Sequence, residues 1–156
     1  MKKLLFYFLL IFAGNAFAQA EINWLSFEQL EDSLQQKPKP VFIYFYADWC
    51  AYCKKMDRHA FKNPEVIQQL SNEFYAVKMN AESIDTIRFE GVTFYNEEVG
   101  EKRNPTHQLA KLLASRKNQV FSLPAMILLD KNFNLLEREF SYLTSEGLLE
   151  FLKNNL

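Results

Sequence analysis

Residues 41–46, Val-Phe-Ile-Tyr-Phe-Tyr, run without one charged side chain. A strand with one wet face would alternate apolar and polar residues. An unbroken run rich in β-branched and aromatic residues instead reads as a strand buried on both faces, at the centre of a sheet with helices above and below. The only two cysteines of the chain follow at once, in Ala47-Asp48-Trp49-Cys50-Ala51-Tyr52-Cys53-Lys54-Lys55. Whatever these thiols do, they do it at the end of a central strand.

The flanking sequence supplies the helices. Ser26 and Gln29 have capping-box spacing and Leu25 can staple onto Leu30, so a helix is predicted over about 26–36, stopped by Lys37-Pro38-Lys39-Pro40. Lys54 to Phe61 has helical composition, and Asn63-Pro64 reads as a cap with proline at the first helical position of a helix reaching about Leu70. Phe74 to Met79 is the next strand. Residues 86–89 and 92–95 flank Glu90-Gly91, a tight hairpin in which glycine supplies a positive φ. Asn104-Pro105 is expected to start a helix with an apolar stripe at Leu109, Leu112 and Leu113. Pro124 opens a strand over 125–129, Asp130-Lys131-Asn132 turns it, 134–140 returns antiparallel, and Thr144 or Ser145 caps a last helix through Leu152. The sum is an α/β sandwich with helices on both sheet faces.

The N-terminus bears on location. Lys2 and Lys3 precede an apolar run from Leu4 to Ala13, followed by Ala16-Phe17-Ala18 and Ala18-Gln19-Ala20, two A-x-A cleavage sites. This reads as a signal peptide over 1–18, with cleavage after 20 as the alternative. The run is shorter than the roughly 20 residues of a membrane-spanning helix. The short dibasic start favours the bacterial periplasm as destination; secretion, or anchoring by an uncleaved signal, is the alternative. Removing Lys2 and Lys3 from the 18 basic residues leaves 16 against 19 acidic ones. With no polybasic block, nucleic acid is a poor partner.

The Cys50–Cys53 spacing admits several chemistries. A short loop gains little from a structural disulfide, since the stabilisation grows with loop length. Zinc needs about four ligands, and besides two cysteines the chain has only His59 and His107. Haem attachment needs histidine after the second cysteine, where Lys54 stands. Thiol–disulfide exchange carries most of the weight. At a helix N-terminus, free N–H groups and the helix dipole favour thiolate, so Cys50 is expected to attack. Cys53, one turn on, is placed to resolve the mixed disulfide.

The segment Phe45-Tyr46-Ala47-Asp48-Trp49-Cys50-Ala51-Tyr52-Cys53-Lys54 resembles the thioredoxin active-site segment, and Ser122-Leu123-Pro124-Ala125 resembles that family's cis-proline segment. Within the family the likeness is to the periplasmic, C-terminal thioredoxin-like domain of the disulfide-transferring membrane reductase, carried by YADWC, CKK and FKNPEVIQQL. It covers about residues 24–156. The resemblance implies a thioredoxin fold: a central mixed sheet with helices on both faces, an extra N-terminal helix, and a hairpin-plus-helix insertion at about 81–118 before the cis-proline strand. It makes Cys50 the attacking and Cys53 the resolving thiol, joined as a redox-active disulfide when oxidised, and Trp49 a shield beside them. It also implies a cis peptide before Pro124 that exposes the Leu123 backbone to an extended substrate segment.

Departures from the family pattern matter too. Tyr44 stands where many thioredoxins bury an aspartate, and a phenol cannot take up a proton near neutrality. Asp57, four residues after Cys53 and on the same helix face, is the candidate substitute. Ala51-Tyr52 is neither the dipeptide common in thioredoxins nor the histidine-bearing one of strong oxidants, which leans toward a reductant, with Tyr52 on the substrate-facing rim. The expected function is reduction or isomerisation of disulfides in exported proteins, by a monomer that needs no cofactor and is recharged by a membrane or periplasmic reductant. The alternatives are a net oxidant, or a non-enzymatic module that binds peptides or a partner.

Overall fold

The structure is a computed structural model that describes residues 21–155. The expected signal peptide lies outside them. Among the described residues no helix is long and apolar enough to cross a membrane.

A five-stranded mixed sheet runs in the order β1 (Trp24–Leu25), β3 (Tyr75–Asn80), β2 (Val41–Tyr46), β6 (Ala125–Leu129), β7 (Leu135–Glu139). The apolar run is β2, flanked by parallel β3 and antiparallel β6. Its side chains divide between two cores. Phe42 and Tyr44 face one shared with Met56, Phe61, Leu70 and Leu148, while Val41, Ile43 and Phe45 face the other, with Phe27, Leu30, Leu109 and Ile127. Fully burying such a side chain contributes roughly 1.5–3 kcal/mol. That accounts for a strand with no charged residue.

On the first face lie α2 (Ala51–Arg58), a 3-10 turn (Ala60–Lys62), α3 (Pro64–Glu73) and α5 (Ser145–Lys153). The Asn63 side chain accepts from the Glu65 and Val66 amides with Pro64 following, and Thr144 caps α5. On the second face are α1 (Phe27–Gln36), closed by the Ser26–Gln29 capping box, and α4 (Gln108–Ala114). The hairpin of β4 (Ile87–Phe89) and β5 (Val92–Phe94) turns through Glu90 and Gly91, both left-handed at φ 51° and 71°. A two-residue turn of this hand needs positive φ at both positions, so Glu90 shares the strain assigned to glycine alone. Phe89 anchors the hairpin against Phe27 and Phe133. Glu28 and Glu31 of α1 accept from the Arg88 and Glu90 amides.

Two expectations need correction. Asn104-Pro105 starts no helix. The Pro105 carbonyl accepts from Asn96, the Thr106 amide donates to Glu98 and the His107 amide donates to the Ala81 carbonyl, which keeps this stretch extended until Gln108. His107 is the buried N-cap of α4, its Nδ1 accepting from the Leu109 amide and its Nε2 paired with the Asp85 carbonyl. The stripe shifts accordingly. Leu109, Ala110 and Ala114 are buried with Leu113 against them, whereas Leu112 faces outward.

Candidate active site

Three chain segments converge at one end of the sheet. β2 ends at Tyr46 and leads to Cys50. Parallel β3 ends beside it, pairing Asn80 with Tyr46, and the Ala81 amide donates to the Tyr46 carbonyl at 2.7 Å. Antiparallel β6 starts there, pairing Ala125 with Phe45, so Pro124 sits against the end of β2. The Leu123–Pro124 peptide is cis. Residues more than 70 positions apart in sequence thus share one rim.

Cys50 is the N-cap of α2, and its sulfur accepts from the Cys53 amide at 3.1 Å. An anionic sulfur at Cys50 would receive the same bond and the positive end of the helix dipole. The two sulfurs are joined in a disulfide, with Cα atoms 5.2 Å apart. Both residues are sunk into the surface, Cys50 3% exposed and Cys53 1%. Their sequence neighbours Trp49 (58%) and Tyr52 (61%) are exposed.

Each aromatic residue has a partner that sequence reasoning missed. The Trp49 indole N–H donates to Glu82 Oε1 at 2.8 Å, tying it to the segment leaving β3. The Tyr52 ring lies 6.0 Å from Tyr142, which also carries the Lys55 ammonium 4.5 Å above its face. Neither Glu82 nor Tyr142 belongs to a motif, so no local signal marked them.

Beneath the disulfide, the Tyr44 hydroxyl donates to the Cys53 carbonyl at 3.2 Å. Burial, reinforced by the charge of Asp57, pushes its phenol pKa strongly upward, so Tyr44 stays protonated. Asp57 is ion-paired with Lys78 at 2.7 Å, and Lys78 also lies over the Tyr46, Tyr44 and Trp24 rings. Lys78 had a readable signal, as a single cation inside the apolar strand 75–80.

Beyond Trp49 and Leu123 a cleft of about 440 Å³ opens toward the 81–121 segment, lined by Trp49, Glu82, Lys102, Lys111, Phe121 and Leu123. Its wall is held by Glu98, whose carboxylate takes Lys102, Lys111 and the Thr106 amide. Hydrogen bonds from Lys102, Lys111 and Thr106, outweighing burial, hold its carboxyl at about 2 against an ordinary 4.5. A depressed folded-state pKa gives stability that is present above about pH 4.5 and lost as pH falls toward 2. Glu98→Gln should remove on the order of 1–2 kcal/mol of stability at pH 7, allowing for solvent at the lysine ends, and flatten the acid limb of a denaturation-versus-pH series. An unchanged acid limb would show that Glu98 is not the latch.

The thioredoxin-like domain family matches residues 27–155 of the chain. The thiol:disulfide interchange protein DsbD of Yersinia enterocolitica is 36% identical over 66 residues, 38% of this chain and 11% of that protein. The chain thus spans about a tenth of the length of that curated relative. The C-terminal domain of Neisseria meningitidis DsbD in the reduced form superposes with a TM-score of 0.52 at 21% identity, covering 81% of this chain and 90% of that one. A thioredoxin from Thermus thermophilus gives 0.60 at 18% identity, covering 86% of each. The structural likenesses speak for the fold. With a cysteine pair bonded at the start of α2 and a family match over most of its length, the chain belongs to the thioredoxin-like domain family, with DsbD proteins among its relatives.

Proposed function

We propose that this protein is an exported thiol:disulfide oxidoreductase that reduces or isomerises disulfides of other exported proteins. The observation that carries the reading is the meeting of the Cys50–Cys53 disulfide at a helix start with the Leu123–Pro124 edge at the same end of the sheet. In the reduced enzyme, the Cys50 thiolate attacks a substrate disulfide, forming a mixed disulfide and releasing one substrate thiolate. Asp57 takes the proton of Cys53, whose sulfur then attacks Cys50, expels the second substrate thiolate and closes the Cys50–Cys53 disulfide. Two electrons pass to the substrate, and a membrane or periplasmic thiol reductant restores the dithiol.

Trp49, Tyr52, Leu123 and Pro124 form the substrate-binding rim, and Leu123 offers its backbone to an extended segment. The 81–118 insertion supplies the cleft beside Trp49, where flanking substrate residues bind. Residues 1–18 direct export, residues 24–156 act as a monomeric domain in the periplasm, and no cofactor takes part. The thiol:disulfide interchange relatives support the chemistry, and the Ala51-Tyr52 dipeptide supports the reducing direction.

The test is catalytic reduction of insulin with dithiothreitol as electron source. The enzyme reading expects acceleration at substoichiometric protein. A chain that binds peptides at the Leu123 edge without accelerating the reduction would be a binding module instead.

A further inference from the structure

The loop that carries the substrate edge is held by a side chain from outside the active-site motifs. Arg116 lies in the connection between α4 and β6. Its guanidinium donates to the Ser122 hydroxyl at 2.7 Å, and its central carbon lies over the Phe140 ring, 3.9 Å from the centroid. Ser122 immediately precedes Leu123–Pro124. Phe140 is fixed in turn, because Glu139 Oε1 accepts from the Phe140 amide and from both the amide and hydroxyl of Ser141. Burial opposes the Glu139 charge, but those hydrogen bonds and the nearby Arg116 charge together keep its carboxyl below the usual range. A second arginine closes the bracket: Arg138 Nε on β7 donates to the Leu113 carbonyl, at the end of α4, at 2.6 Å.

The reason for the device lies in the loop itself. Residues 115–124 carry no helix or strand, and none of the backbone amides from 120 to 123 donates a loop hydrogen bond to another backbone group. Left alone, such a segment would sample many conformations, and a substrate strand would have to order it on binding. A planar guanidinium held over a ring and hydrogen-bonded through one of its N–H groups fixes orientation in a way a flexible ammonium does not.

We propose that Arg116 is a positioning residue for protein substrates: by clamping Ser122 against Phe140 it presets the Leu123 backbone edge, and it takes no part in the sulfur chemistry. The proposal rests on the reading of Leu123 as the substrate edge. It implies that Arg116 and Ser122 act as one unit and that small thiols, which need no edge, are indifferent to both.

Arg116→Ala and Ser122→Ala should each raise KM for a protein disulfide by about five- to tenfold, with kcat, glutathione exchange rate and reduction potential unchanged. The double variant should be no worse than either single one, and Ser122→Thr, which keeps the hydroxyl, should restore wild-type KM. The backbone order parameter of the Leu123 amide, from nitrogen relaxation, should fall in both alanine variants. Fully additive effects, an unchanged KM, or an unchanged order parameter in folded variants would overturn the clamp. If the wild-type protein turns over no protein disulfide, the reading of the site fails while the order parameters still decide the clamp.

Discussion

The Cys50→Ser variant is expected to lose disulfide exchange by on the order of a thousandfold or more, because a serine hydroxyl is not ionised at neutral pH and cannot replace a thiolate held at a helix start. Cys53→Ser should fail differently. It keeps the attacking sulfur and loses the one that resolves, so it should accumulate a mixed disulfide between Cys50 and the substrate, visible as a dithiothreitol-sensitive adduct on a non-reducing gel. The asymmetry follows from placement: Cys50 caps α2 and accepts the Cys53 amide, whereas Cys53 lies one turn inward with its carbonyl bonded to Tyr44. A Cys50→Ser variant that trapped substrate, with Cys53→Ser trapping none, would reverse the two roles.

The second large effect belongs to Asp57. Replacing it with asparagine keeps the volume and removes the base, so the resolving step should slow by roughly a hundredfold near pH 7. The defect should shrink as pH rises past the ordinary cysteine range, about 8.5, where Cys53 ionises without help. The Asp57 charge reaches Tyr44 and Tyr46, and the Tyr44 hydroxyl touches the Cys53 carbonyl. The Lys78 ion pair fixes the carboxylate on this side of α2. Rapid-quench measurement of mixed-disulfide decay across pH isolates the step. Wild-type decay at every pH would remove Asp57 from the mechanism and leave it as the partner of Lys78.

What was legible in the sequence followed from local physics. Val41–Tyr46 announced a doubly covered strand because burial on both faces disfavours charged residues. Ser26 with Gln29, and Asn63 with Pro64, announced helix starts because their hydrogen bonds lie within one turn. The cysteine pair and Pro124 were legible as motifs. What stayed hidden was decided by contacts across long sequence gaps. The stretch 104–107 stays extended because Asn96, Glu98 and Ala81 hold it, and nothing within that stretch shows it. His107 is buried as a cap for the same reason. Trp24–Leu25 is too short to show a period, and forms a strand only because β3 offers an edge. Glu82 under Trp49 and Arg116 under Ser122 are single residues brought to the site by topology.

The direction of electron flow is the central claim, and the reduction potential of the Cys50–Cys53 couple, titrated in glutathione buffers, tests it most directly. A dithiol that reduces other proteins should lie near the thioredoxin value of about −270 mV; a value near −120 mV, that of strong oxidants, would contradict the account and make the protein a donor of disulfides.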